Sequence, residues 1–221
     1  MKCVIPCAGE SSRMAYVPKM LININNKPLL NHIIDYWKDK VDNFIFVIKP
    51  ENNYYLEFFP ENSAIVFQPE PKGLADAILR AEPYVDDKFI VALGDCLQRG
   101  TFKITEQLAD LGIGVWKTHS VKETRKSYRV IVSNNLVKHV EEKPGVLLTP
   151  PFNCGMGTYR LDKRVFEYIR NRKVIAGGGD FTEVLQNMID DGNAISPLWF
   201  TGEYVNVGSP EDIAEAERIV K

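Results

Sequence analysis

No run of about 18 apolar residues occurs anywhere in the 221-residue chain, which excludes a membrane-spanning helix. A dense basic segment is also missing. The 27 Lys and Arg and 29 Asp and Glu residues are dispersed and leave a formal charge of −2, so no electrostatic footprint for nucleic acid is present. The four cysteines, Cys3, Cys7, Cys96 and Cys154, lack the second Cys or His pair that a zinc site needs. Cys3 and Cys7 share one strand and cannot easily bridge. All four therefore read as free thiols in a reducing compartment, the cytoplasm. The start of the chain has one Lys and a short apolar run before Gly9, too little for a secretory leader. No linker, repeat or low-complexity segment divides the chain, and Gly177-Gly178-Gly179 is its one glycine run. A 45% hydrophobic composition is enough for one good-sized core.

What is present is an alternation. Lys2 to Pro6, Asn43 to Lys49, Ala64 to Phe67 and Lys88 to Leu93 are compact apolar runs that read as strands. Between them, Pro28 to Lys38 carries apolar residues at helical spacing (Leu29, Leu30, Ile33, Ile34, Trp37), and Gly73 to Glu82 reads as a second helix. This order predicts βαβ units and a mostly parallel sheet. Three β-type segments follow, Gly112 to Thr118, Tyr128 to Ser133 and Val137 to Glu141, the last two joined by an Asn134-Asn135 hairpin turn. Helices are expected over Leu161 to Arg170, Phe181 to Asp190 and Pro210 to Val220. The aromatic stretch Tyr54-Tyr55-Leu56-Glu57-Phe58-Phe59 reads either as an oligomer interface or as packing under a loop.

Four polar motifs lie just past β segments, and in open α/β sheets ligands sit beyond the carboxyl ends of the strands. The first is Ala8-Gly9-Glu10-Ser11-Ser12, a small hydroxyl-rich loop followed by the cations Arg13 and Lys19. Backbone N–H groups of such a loop bind phosphate oxygens and the cations neutralise the remaining charge, although the Gly-Lys-Ser/Thr ending of a Walker loop is missing. The second is Gln68-Pro69-Glu70-Pro71-Lys72-Gly73. The Gln68 amide has the donor and acceptor that reading a pyrimidine edge requires, and Gly73 permits close approach of a ring. The third is Leu93-Gly94-Asp95, a carboxylate placed to hold magnesium beside phosphates. The fourth is Glu141-Glu142-Lys143-Pro144, where Lys143 offers a second phosphate grip. Each motif alone is equally compatible with an ordinary turn, and their shared order is what carries the signal.

In that order the chain resembles the sugar-1-phosphate nucleotidyltransferases, most nearly the glucose-1-phosphate thymidylyltransferases, over essentially its whole length. The most specific likeness is the run from Gln68 through Gly73 to Leu74-Ala75-Asp76-Ala77. The resemblance implies a Rossmann-like three-layer α/β fold, with a mixed, mostly parallel sheet flanked by helices and a small β-rich lid. It implies a single domain over residues 1–221, with a nucleotide-binding half to residue 110, a sugar-phosphate half after it, and no left-handed β-helix domain. The implied reaction joins a nucleoside triphosphate, dTTP or UTP, to a sugar 1-phosphate with release of pyrophosphate. Arg13, Lys19, Asp95 and Lys143 would be catalytic. Ala8, Gly9, Glu10, Ser11, Ser12, Gln68 and Gly73 would bind the nucleotide. Tyr128, Glu142, Asn153, Gly155, Asp180 and Thr182 would face the sugar. Asp95 and Asn206 would hold Mg2+.

Four positions depart from that family's pattern. Glu10-Ser11-Ser12 lacks the Gly usual before the Thr, and the segment from Arg13 to Pro18 is short. Arg129 stands where a Gly is usual, and Asn206 stands where a second metal aspartate is usual. The short segment points to an alternative, a cytidylyltransferase of a phosphorylated alcohol such as phosphocholine or an inositol phosphate. Arg129 and Asn206 point to another, a regulatory paralogue that binds nucleotide sugars with little turnover.

Overall fold

The computed structural model describes residues 1–9, 18–103, 109–142, 144, 150–171 and 180–221. Arg13, Lys143, Glu10, Ser11 and Ser12 lie outside them, as does the side chain of Asp180. The strands are β1 (Lys2–Pro6), β2 (Asn23–Ile24), β3 (Lys27–Pro28), β4 (Asn43–Ile48), β5 (Ala64–Phe67), β6 (Lys88–Ala92), β7 (Cys96–Phe102), β8 (Leu111–Thr118), β9 (Tyr128–Ser133), β10 (Leu136–Glu142), β11 (Phe152–Asp162) and β12 (Ile195–Asn206). The helices are α1 (Leu29–Trp37), α2 (Gly73–Arg80), α3 (Val121–Lys126), α4 (Arg164–Asn171), α5 (Asp180–Asp190) and α6 (Glu211–Ile219).

The main sheet runs β5-β4-β1-β6-β11-β8-β12-β7. Pairing is parallel from β5 to β6 and between β8 and β12, and antiparallel where β11 and β7 join. The interior strands alternate side chains between two cores, as a pleat of period two requires. In β4, Ile45 and Val47 enter a core with residues of α2, α4 and α5, and Phe44, Phe46 and Ile48 enter another with residues of α1 and α6. Burial of both faces explains why Phe44-Ile45-Phe46-Val47-Ile48 reads as an unbroken apolar run. The result is the mixed α/β sheet with helices on both faces that the resemblance implies.

Most expected elements fall within a residue or two of their place. Asn134 and Asn135 both have positive φ (52° and 56°), the geometry a two-residue hairpin demands. The helix expected from Leu161 starts instead at Arg164. Leu161 and Asp162 complete β11 by pairing with β6, and the Asp162 carboxylate accepts the Arg164 N–H at 3.0 Å, forming the turn into α4. The Tyr54–Phe59 stretch packs largely inward: Tyr55 is buried, and Phe59 stacks on Phe46 with 3.8 Å between ring centroids. Tyr54 and Leu56 remain on the surface. No helix among the described residues is long and apolar enough to cross a membrane.

Candidate active site

β1, β5, β6 and β12 end on one rim of the sheet, and β7 begins there. Asp95 occupies the turn between β6 and β7, where its carbonyl accepts the Val207 N–H at 2.8 Å just past β12. Register places Asn206 opposite Cys96, so the two residues expected to share a metal are neighbours along the backbone, while their side chains line different halves of the cleft. Lys19 reaches the same point from a short 3-10 turn, Lys19–Leu21. Its Nζ lies 2.6 Å from Asp95 Oδ2. Met20 fixes this approach, because a Cβ on Gly94 would fall 2.6 Å from Met20 Cε. The glycine leaves room for the end of the Met20 side chain between the two turns. Burial opposes ionisation of Asp95, but the charge and hydrogen bond of Lys19 outweigh it and hold the carboxyl below its ordinary value.

Two cavities meet at this rim. The first, of about 290 Å³, is lined by Ala8, Gly9, Lys19, Gln68, Gly73 and Asp95, among others. The second, of about 160 Å³, is lined by Lys126, Tyr128, Glu142, Thr182 and Asn206, among others. Leu74 and Leu93 border both, so the two form halves of one cleft. The structure thus groups four of the expected nucleotide residues, Ala8, Gly9, Gln68 and Gly73, in one half and three of the expected sugar residues in the other.

In the first half, Gly73 has a φ of +87°, a conformation that L side chains rarely adopt. The turn this permits brings its carbonyl to 3.1 Å from Gln68 Nε2, which also donates to Asp76 Oδ2 at 2.8 Å. Among the described residues, none beyond its chain neighbours comes within 4 Å of where a Cβ on Gly9 would stand.

In the second half, Thr182 Oγ1 donates to Glu142 Oε2 at 2.7 Å, tying the start of α5 to the end of β10. Tyr128 is buried, and its hydroxyl donates to the Met156 carbonyl at 3.3 Å. Burial pushes its phenol pKa well up. Gly155 serves that ring: a Cβ there would lie 2.1 Å from Tyr128 Cε2. Asn153 pairs with Lys117 of β8 and is not among the residues lining either cavity. Arg129 turns to its cross-strand neighbour Glu141 at 3.5 Å.

Sequence reasoning missed Lys126. Its ammonium lies 3.4 Å from the Asn206 carbonyl and 3.1 Å from Glu123 Oε1, and it bonds Asp212 Oδ1. Asp212 is buried in α6 and also accepts the N–H groups of Gly208 and Ser209, both at 3.0 Å. Burial opposes its charge, yet these donors hold its carboxyl far below the ordinary value. The charged run Val121–Lys126 signals only the Glu123 pair, since Asn206 and Asp212 come from the far end of the chain.

The donor set of Asp95 in the first half and Asn206 in the second suits magnesium. Asp95 and Asn206 supply hard oxygens, and among the described residues no group of three or more His, Cys, Asp and Glu forms a self-sufficient metal site. Two ligands fit an ion that shares phosphate oxygens and keeps water.

The chain is 30% identical over 230 residues to the bifunctional protein GlmU of Methanocaldococcus jannaschii, a match covering 99% of this chain and 54% of that protein. It therefore spans about half the length of that curated relative. It is 26% identical to the UTP–glucose-1-phosphate uridylyltransferase AglF of Haloferax volcanii, over 99% of this chain and 96% of the relative. Among solved structures, the inositol-1-phosphate CTP transferase of T. maritima superposes with a TM-score of 0.78 at 19% identity, covering 100% of this chain and 96% of that one. At that identity the likeness is one of fold. Residues 11–221, which carry the Lys19–Asp95 pair and most of the lining of both halves of the cleft, match the sequence profile of one family. The chain belongs to the nucleotidyl transferase family.

Proposed function

We propose that the chain transfers a nucleotidyl group from UTP or dTTP to a sugar 1-phosphate, releasing pyrophosphate. The observation that carries this reading is the two-part cleft with the Lys19–Asp95 pair on the wall of its first half. The nucleotide takes the half containing Gly9, Gln68 and Gly73, and the sugar phosphate takes the half containing Tyr128, Glu142 and Thr182. The resemblance to a relative named as a uridylyltransferase supports the choice of UTP. Residues 1–110 then serve chiefly the nucleotide and the remainder the acceptor.

A phosphate oxygen of the sugar phosphate forms a bond to the α-phosphorus as the bond from that phosphorus to the pyrophosphate oxygen breaks. The nucleophile is already ionised near neutral pH, so the protein supplies position and charge rather than a base. Lys19 neutralises the α-phosphate. Asp95 and Asn206 are the residues that would hold magnesium, which when bound supplies charge neutralisation across the phosphates. Arg13 on the leaving pyrophosphate, Lys143 on the acceptor phosphate and Asp180 on the sugar complete the proposal.

The test is pyrophosphate release over a matrix of nucleoside triphosphates and sugar 1-phosphates with magnesium. Turnover confined to UTP or dTTP with a hexose 1-phosphate is expected. A second reading, a nucleotide-sugar binder with little turnover, is favoured by the uncharged Asn206. Calorimetric binding of a UDP- or dTDP-sugar with no turnover in that matrix would replace the first reading with it.

A further inference from the structure

Gln68 cannot present either face of its amide at will. Its side chain is buried, and its backbone N–H is committed to the Ile48 carbonyl at 2.8 Å. Its Nε2 has two neighbours, the Gly73 carbonyl and the Asp76 carboxylate. A carbonyl accepts and does not donate, and so does an ionised carboxylate. Asp76 is kept ionised: burial opposes its charge, but hydrogen bonds from Arg80 and Gln68 outweigh that and lower its pKa. Chemistry therefore decides which amide atom faces this pair, and it must be the nitrogen, with both its hydrogens used. Arg80 braces the arrangement, with Nε 2.7 Å from Asp76 Oδ2 and a second nitrogen 3.3 Å from the Phe67 carbonyl.

The amide atom left for a ligand in the first half of the cleft is Oε1, an acceptor. Uracil and thymine carry an N–H at ring position 3, whereas cytosine carries a lone pair there. We propose that Asp76, braced by Arg80, is a positioning residue that fixes the Gln68 amide so that its oxygen selects a pyrimidine with a ring N–H and rejects cytosine. This rests on the nucleotidyl-transfer reading and adds to it how the base is chosen. A freely rotating glutamine would accept either base. The selectivity thus lies in the acid two side chains away rather than in the residue that touches the ligand.

The experiment is equilibrium binding of UTP and CTP with magnesium and no sugar phosphate, on the full chain and on Asp76→Leu, Asp76→Asn and Arg80→Met. Wild-type protein should prefer UTP by about a hundredfold, since an acceptor set against a lone pair leaves both unsatisfied. Asp76→Leu should cut the ratio by about tenfold or more, because the amide can then turn. Asp76→Asn keeps an acceptor for Nε2 and should retain most of the preference. Arg80→Met, at the edge of the arrangement, should lower the ratio in the same direction and covers the case in which Asp76→Leu fails to fold. Equal affinity of wild type for UTP and CTP overturns the selection alone. So does a variant that weakens both nucleotides equally and leaves their ratio unchanged, because that marks a merely structural role. Wild-type protein that binds neither nucleotide overturns the function reading, and the selection with it.

Discussion

Lys19 and Asp95, 76 positions apart in the chain, meet at 2.6 Å on the wall of the first half of the cleft. Each controls the other. Lys19 keeps Asp95 ionised against burial, and Asp95 draws the Lys19 ammonium to the rim where an α-phosphate would lie. Replacing either by Ala should reduce pyrophosphate release roughly a hundredfold, about 3 kcal/mol of transition-state stabilisation, with circular dichroism unchanged. In Lys19→Ala the lowering of the Asp95 pKa is lost, so the acid limb of the residual activity should move to higher pH. Near-full activity in either variant would remove the pair from the mechanism.

Asn206→Asp should lower the magnesium concentration needed for half-maximal activity. The change adds a charge beside Asp95 without altering size, at a position fixed by the β7–β12 register. An unchanged metal titration would show that residue 206 is not a ligand.

Asp212 lends itself to a test of stability against pH. Its folded-state pKa is depressed, so its contribution is present above the ordinary carboxylate value of 3.8 and is lost as pH falls toward the depressed one. Asp212→Ala should cost about 3 kcal/mol at pH 7, because it removes the buried carboxylate that pairs Lys126 and leaves the N–H groups of Gly208 and Ser209 without their acceptor. Urea unfolding should show that deficit undiminished to about pH 5 and narrowing below about pH 4. A deficit independent of pH would mean that the carboxylate charge is not what stabilises the fold.

Gly155→Ala probes the acceptor half. The added methyl would sit 2.1 Å from the Tyr128 ring, so the ring must leave its place against Gly155. Overpacking of this kind costs about 2 kcal/mol, a fall in Tm of about 6 °C for a chain of this size. The KM for the sugar phosphate should rise more than that for the nucleotide. Equal effects on both would count against Tyr128 facing the acceptor.

The N-terminal half of the sheet was legible because its strands are buried on both faces and are written as apolar runs, as in Phe44 to Ile48. The three long strands missed were written differently. β11 contains Gly155 and Gly157, which make room for Tyr128 and for Cys96 and Leu93. β12 contains Pro197 and Gly202, and β7 carries Gln98, Arg99 and Gly100 at a sheet edge. Local propensity cannot see an edge or a close approach. At the site, Gly9, Gln68 and Asp95 stood out because each follows a strand end. Lys126, Asp76 and Asp212 did not, because their roles come from ion pairs and hydrogen bonds that the spacing of charges leaves open.

β7 starts one residue past Asp95, yet its ladder partner is β12, and Cys96 Sγ meets the Tyr204 hydroxyl at 3.1 Å across 108 positions of chain. As the polypeptide is synthesised, the strands from β5 to β6 can pair early. β7 must wait for nearly the whole chain before it has a neighbour. Contacts of such long sequence separation form late. The β7 edge of the sheet, which begins beside Asp95, can therefore form only after β12 has been made.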